Sequence, residues 1–500
     1  MAYKSVATPA GLGQRSRLAF LLKDSALYGG AAAISKAFAL ITFPLLARHF
    51  SIVDYGVVDF FLVLASFLAI LFIFGQDSAV ARYFYEHEEI TERRQLISQS
   101  LLFQLGGLLL FLPMLWGGAG WLTRFLIEAP EAEWLLKLVM LQLPFLVVIN
   151  FSQNLLKWTF ARAQFLTISL GFTTVQALLL VFAVLVLDIG VQGVLVVGLC
   201  TSVVFGFLSL YFVRGWLTRP RGFKHLREML PFAIPYGVIC VLAAFTPALE
   251  RSLTDQLLGA DRLGLYAAGT KVAMLIGLVV SAFQTAWGPF SLSLYKQSDA
   301  AHTYNWVLKV FALGMCLLVL LLTLVAKPII HLLASDRYSG AVVVVFPLAM
   351  GHAIQATSWI TEIGIGISKR SYLNLYAYAV FVGATLGAIL LLAPVLGLVG
   401  VSLGVLIGYL AKALISSWLA QRAYPLPWQY SPVVSIFILT LLLGFGAEYG
   451  AKHWGNAMHF AILIIGSVCL LVAGWILLFT SEEKQRVRGT IGAYFPYFRI

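Results

Sequence analysis

The stretch Trp306–Ala326 reads WVLKVFALGMCLLVLLLTLVA, with a single charge, Lys309, near its start. At about 1.5 Å of rise per residue, a run of this length crosses the ~30 Å hydrocarbon core of a bilayer as one helix. In lipid every backbone N–H and C=O must be paired within the structure, which leaves helices and closed barrels as spanning forms. The block is too long and too uniformly apolar for a barrel strand. It also lacks the one-sided apolar stripe of a soluble helix. It therefore reads as a transmembrane helix, and it decides the class of the chain.

Working outward, comparable blocks place spans at 27–47, 55–74, 96–116, 135–156, 165–186, 191–212, 230–249, 266–287, 306–326, 342–366, 372–393, 398–419, 431–450 and 459–479. The expected fold is all-α and polytopic, with about fourteen transmembrane helices. Composition agrees: 60% of the 500 residues are hydrophobic and 11% charged, with a mean hydropathy of +0.91. Soluble domains carry about 25% charged residues. The first span holds Lys36 at its centre and lacks a small-residue cleavage site, so it does not read as a signal peptide.

Basic residues gather in the connections after even-numbered spans, most densely after the sixth, with Arg214, Arg219, Arg221, Lys224 and Arg227. The positive-inside rule then places both termini and this connection in the cytoplasm. The net charge of +12 follows from this bias and from contact with anionic lipid, not from nucleic-acid binding. Four cysteines, Cys200, Cys240, Cys316 and Cys469, all fall within spans without metal-ligand spacing. They read as small apolar packing residues.

An internal repeat organises the chain. A shift of 207 pairs Arg162 with Lys369, Phe165 with Tyr372, Gly190 with Gly397, Gly193 with Gly400 and Leu199 with Leu406. A shift of 208 pairs Gly56 with Gly264, Ala65 with Ala273 and Gln76 with Gln284. Six spans per unit is an even number, so the two units share one orientation as parallel repeats. Transporters of this plan bind substrate between the halves and rock them to alternate access. The implied organisation is a cytoplasmic segment at 1–26, a first lobe at 27–212, a cytoplasmic linker at 213–229, a second lobe at 230–419, two extra helices within 431–479, and a cytoplasmic tail at 480–500.

The chain lacks the marks of several chemistries. A membrane glycan polymerase or transferase would need catalytic carboxylates in a large external loop. The longest such loops, 117–134 and 250–265, are short and carry no Asp-x-Asp pair. The eight histidines, among them His49, His87, His302 and His331, are scattered, so no metal site is expected. No enzyme activity and no cofactor are expected. Gly264–Lys271, GLYAAGTK, nearly spells a phosphate-binding loop, but its last two residues are reversed and no strand precedes it. Gly400, Gly404 and Gly408 share one helix face and suit close helix packing.

Charges inside spans carry more information, because each costs at least ~2.5–3.5 kcal/mol near the bilayer centre unless it meets a partner or a wet cavity. Lys36 is central in the first span, Lys271 and Asp59 lie one turn inside theirs, and Glu362 lies near an inner end. Lys137, Lys309 and Lys412 sit near span ends, where snorkelling suits them. Lys36 maps to Ala244 in the second repeat, and Lys271 maps back to Val63. Neither lysine is therefore demanded by the repeated scaffold. Asp59 is the candidate structural partner of Lys36.

Several motifs together resemble a known family. They are Pro44-Leu45-Leu46-Ala47-Arg48, Asp54-Tyr55-Gly56, Gly75 and Arg82-Tyr83-Phe84, then Leu263–Lys271 followed by Pro289, and Gly397–Val401. This pattern, spread over about residues 20–420, is similar to bacterial polysaccharide-unit flippases, the Wzx-like branch of the multidrug/oligosaccharidyl-lipid/polysaccharide exporter superfamily. Members often carry an Asp-Arg pair after the seventh helix; here it is Glu250-Arg251.

The resemblance implies a V-shaped pair of lobes around a cationic cleft in the bacterial inner membrane. The cargo would be an undecaprenyl-pyrophosphate-linked oligosaccharide, moved from the inner to the outer leaflet for surface polysaccharide synthesis. Lys36, Lys271, Arg48 and Arg251 are the candidate cleft cations, and charge-assisted hydrogen bonds to phosphate are the chemistry they offer. Asp59 and Glu362 are candidate ion-coupling carboxylates. Expected partners are the lipid-linked oligosaccharide and membrane lipids, with glycan polymerase and export machinery as further candidates and no nucleic acid. A cation-coupled drug antiporter of the same superfamily is the main alternative and would favour an acidic cavity.

Overall fold

The computed structural model describes residues 42–294, 300–368, 370 and 372–484, except positions 85, 88, 128, 130 and 482, together with Gly30 and Ile34. Its main helices are α1 (Ile52–Ile73), α2 (Gln76–Phe84), α3 (Ile90–Gly117), α4 (Ala119–Leu126), α5 (Ala132–Trp158), α6 (Arg162–Val186) and α7 (Val191–Val213). They continue as α8 (Lys224–Leu258), α9 (Ala260–Ala273), α10 (Ile276–Leu294), α11 (Ala300–Ala334), α12 (Val342–Thr361), α13 (Ile363–Ile367) and α14 (Leu373–Leu396). The last are α15 (Leu398–Ala423), α16 (Tyr430–Trp454) and α17 (Asn456–Leu477).

Among the described residues, twelve helices are long and apolar enough to cross a membrane. The outward faces are apolar: Met114 is 76% and Val395 80% exposed. Such surface would be an aggregation liability in water and is satisfied by lipid tails. The chain is an all-α, multi-pass membrane protein built as two lobes. The span expected at 27–47 lies mostly outside the described residues; its end is helical over 42–49.

The structure departs from the expected spans where polar sequence is buried in protein instead of lipid. The loop expected at 250–265 is helical: α8 runs on to Leu258, and α9 starts after Gly259. Glu250, Arg251 and Asp255 lowered the local hydropathy, yet all three are buried. Within the stretch 213–229, α8 already begins at Lys224. This connection is strapped to α3 by side chains: Thr218 N donates to Ser98 Oγ (2.8 Å) and Arg221 N to Gln95 Oε1 (2.7 Å). Leu226 N, one of the N–H groups that a helix start leaves without a partner, donates to Gln99 Oε1 at 3.0 Å. The span expected at 266–287 is two helices, α9 and α10, that meet at Met274–Leu275.

Close backbone approach ties the lobes together. Gly56 on α1 lies against α9, where an added Cβ would come within 2.7 Å of Gly264 N. A Cβ on Gly264 would collide with the Ile52 carbonyl. These two glycines are paired by the 208 shift, so the repeat's own symmetry brings equivalent positions face to face. The glycines of the pseudo-phosphate loop therefore serve helix packing. At the other end, Phe74 and Gly75 break α1 from α2 with positive φ values of 43° and 70°. A Cβ on Gly75 would meet Ala233 O and Gly237 N of α8, both at 2.6 Å. Within the second lobe, Gly400, Gly404 and Gly408 all face α14, at Leu392, Ile389 and Thr385.

Candidate functional site

Three of the charged residues singled out in the sequence converge where α1, α8 and α9 meet. Arg251 Nε donates to Asp59 Oδ2 at 2.6 Å, and Lys271 Nζ lies 2.8 Å from Asp59 Oδ1. Asp59 and Arg251 are each 1% exposed, whereas the Lys271 side chain is 28% exposed. Arg251 Nη1 also donates to the Pro247 carbonyl one turn back (3.0 Å), and its Nη2 has no hydrogen-bond partner.

The buried Asp59 carboxylate is shared by two cations, of which Lys271 is the partly open one. The neighbouring Glu250 turns the other way and accepts from Tyr266 Oη at 2.6 Å. The group joins α1 of the first lobe to α8 and α9 of the second, so it is an inter-lobe tie as well as a cationic feature. Asp59 is thus the partner of Arg251 and Lys271. Its expected pairing with Lys36 falls on a residue outside those described.

Arg48 lies elsewhere. It is exposed and donates to the Leu332 carbonyl at the end of α11 (2.5 Å), while Arg337 donates to the Arg48 carbonyl (3.0 Å). Both bonds fasten the end of the first span to the second lobe. Glu362 sits at the break between α12 and α13 and accepts from Lys412 Nζ (2.7 Å) and Ser358 Oγ (3.1 Å).

Lys412 is not the snorkelling residue its position near a span end suggested. Its side chain is 1% exposed and lies 4.8 Å from the Tyr378 ring. Lys309 is likewise buried, paired with Glu483 beyond the last span at 3.1 Å. Lys412 lies midway along α15 and Lys309 more than two turns inside α11, and a partner from another element covers each, so burial with a counter-ion replaces escape to the interface.

Sequence reasoning also missed a polar ladder on α5. Lys157 Nζ donates to Asn154 Oδ1 (3.1 Å), and Asn154 Nδ2 donates to Asn150 Oδ1 (3.0 Å). Polar residues at i, i+4 and i+7 of an apolar span were the available signal.

Together the fold and the inter-lobe group define a two-lobed polytopic membrane protein whose halves meet through paired glycines and an ion cluster. The chain belongs to the family described as "Polysaccharide biosynthesis protein", whose profile matches residues 21–295. Among curated relatives, the "Lsg locus putative protein 1" of Haemophilus influenzae is 23% identical over 303 residues, 59% of this chain and 72% of that one. An uncharacterised membrane protein of the same organism is 22% identical over 286 residues, 56% of this chain and 67% of that one.

Solved structures share the fold. The lipid II flippase MurJ in an inward closed conformation matches with TM-score 0.67 and 14% identity, over 89% of this chain and 97% of that one. An inward-facing multidrug resistance MATE transporter matches with TM-score 0.59 and 16% identity, over 80% and 94%. A transporter of the same superfamily from Pyrococcus furiosus, described with a binding pocket of reversed polarity, matches with TM-score 0.58 and 16% identity, over 79% and 95%.

Proposed function

We propose that this protein is a flippase that moves an undecaprenyl-pyrophosphate-linked oligosaccharide from the inner to the outer leaflet of a bacterial inner membrane by alternating access. The observation that carries this reading is the partly open cation at the inter-lobe contact. Asp59 is shared with the buried Arg251, so Lys271 presents an ammonium with an accessible head. An anionic pyrophosphate head is drawn to such a charge while its polyprenyl tail stays in the bilayer. The polysaccharide family and the likeness to MurJ support the cargo class. A drug-cation antiporter would instead need an acidic pocket, and both carboxylates at this contact are already engaged, Asp59 by Arg251 and Lys271 and Glu250 by Tyr266 Oη.

The lobes are taken as 27–212 and 230–419, linked at 213–229, with both termini and the linker cytoplasmic. Lys36 would complete the cationic lining from the first span. Arg48, tied to Leu332, would act at the rim. Asp59, held between two cations, is assigned to the inter-lobe tie rather than to proton carriage, and Glu362 remains the candidate coupling carboxylate. A glycan polymerase working on the outer face is the partner this reading calls for.

The test is a reconstitution. Proteoliposomes holding the full chain and a fluorescent polyprenyl-pyrophosphate oligosaccharide should render the inner-leaflet fraction accessible to an external quencher. Liposomes with Lys271→Ala should do so more slowly. Absence of protein-dependent flipping, together with gradient-driven export of a cationic dye, would establish the antiporter reading in its place.

A further inference from the structure

We propose that this protein carries a transition-metal site, suited to Zn²⁺, formed by His87, His225 and Glu228 where the α2–α3 connection meets the start of α8. The ligating atoms of these three side chains all lie within 4.8 Å of one another. His87 belongs to the first lobe, whereas His225 and Glu228 are in the first turns of α8. The site therefore ties the first lobe to the start of α8, the helix that leads into the second lobe, at the end opposite Gly56 and Gly264.

The hydrogen bonding argues for a cation at this point. His225 is buried, and its Nε2 is 2.7 Å from Glu92 Oε2. That contact requires the ring to carry its proton on Nε2, which leaves the Nδ1 lone pair facing inward. Nδ1 points toward Glu228 Oε2 at 3.5 Å, beyond a normal hydrogen bond. The His87 ring meets the His225 ring edge-on, with centroids 5.1 Å apart. Both His87 Nε2 and His225 Nδ1 are buried and have no hydrogen-bond partner. Two buried ring nitrogens thus face a carboxylate with no hydrogen bond of their own, which is costly unless a cation joins them.

The surroundings match a metal site further. A carboxylate behind a ligating imidazole fixes its tautomer and raises its basicity, and Glu92 stands in that position. Arg93 Nε donates to the His87 carbonyl at 2.7 Å, holding the loop that presents this ring. Two imidazole nitrogens and one carboxylate suit Zn²⁺, whereas Mg²⁺ and Ca²⁺ prefer all-oxygen sets. Ligand atoms around a tetrahedral zinc stand about 3.3 Å apart, given bonds of about 2.0–2.1 Å. From within 4.8 Å of one another the ligand atoms must draw together by up to about 1.5 Å, and Glu228 is exposed. Bound metal would hold the lobes together at this end and restrain their rocking.

The experiment uses the full chain with its affinity tag removed, stripped with a chelator in detergent and titrated with Zn²⁺ against a fluorescent competitor. Elemental analysis after gel filtration gives the stoichiometry. One Zn²⁺ per chain is expected, undisturbed by excess Mg²⁺. His225→Ala should weaken binding by about 100-fold or more, and Glu92→Gln by about 10–100-fold. Because His225 is buried and its loss could unfold the start of α8, His87→Gln in the loop is the decisive variant. It should stay monodisperse and still lose the site. Replacing His49 and His331, which pair with Asp188 and Asp336, should leave binding unchanged. Substoichiometric zinc on the unaltered chain, or unchanged affinity in monodisperse His87→Gln, overturns the proposal.

Discussion

Asp59→Asn is the substitution from which the inter-lobe group predicts most. Asp59 accepts from Arg251 Nε at 2.6 Å, and both residues are 1% exposed. Removing the carboxylate charge strands the guanidinium in a place where water cannot reach it. Breaking a buried pair in this way costs about 3–5 kcal/mol. Lys271→Met removes the other partner, but that side chain is 28% exposed and Asp59 keeps Arg251. Its cost should be near 1 kcal/mol, the scale of a solvent-screened pair.

The cost of Asp59→Asn falls on the conformation in which α1 touches α8 and α9. A penalty of about 3 kcal/mol therefore moves the lobe equilibrium roughly 100-fold away from that state. The assay is a spin-label distance between Asp188 and Asp336. The two residues lie at one end of the molecule, paired with His49 and His331. The four native cysteines would be replaced in every variant. Asp59→Asn should broaden or lengthen the distance and lower thermal stability, and Lys271→Met should do little of either. Asp59→Asn combined with Arg251→Met should recover much of the loss, because replacing a whole buried pair is far cheaper than halving it. An Asp59→Asn protein with unchanged distances and melting would refute this reasoning.

Three further outcomes follow from other parts of the structure. Lys36→Ala should abolish glycan export at normal protein abundance, while Lys36→Arg keeps part of it; full export by a well-expressed Lys36→Ala chain would remove Lys36 from the cleft. Gly264→Val places a side chain on the Ile52 carbonyl and should cost at least ~1–3 kcal/mol by overpacking, read as a drop in melting temperature that Val280→Ala, for comparison, would not reproduce through lobe separation. Glu483, beyond the last span, is pushed toward the neutral form by burial, but the Thr480 N–H and the Lys309 ammonium outweigh this and hold its pKa below the usual value. Its contribution is thus full above the ordinary Glu pKa of about 4.3 and fades as pH falls below it through the lowered value, so the stability gap between the unaltered chain and Glu483→Gln should close in acid melts.

The apolar blocks, their length and the basic bias of alternate connections were enough to determine an all-α polytopic chain with two repeated halves. Those features report on the bilayer, a solvent with one thickness and one rule for backbone hydrogen bonds. Hydropathy, however, measures only exposure to lipid. It could not see that the polar stretch around Glu250, Arg251 and Asp255 is buried in protein, so a helix was read as a loop. Charged residues were legible as exceptions, and Asp59, Arg251, Lys271 and Glu362 were all named from the sequence. Their pairing was not legible, because Arg251 reaches Asp59 across 192 positions and Lys412 reaches Glu362 across 50. The same is true of His87 and His225, scattered in the sequence and edge-to-face in the fold. Which charges neutralise one another is decided by tertiary packing, within the second lobe for Lys412 and Glu362 and between the lobes for Asp59 and Arg251, where closure depends on details as small as the missing Cβ atoms of Gly56 and Gly264.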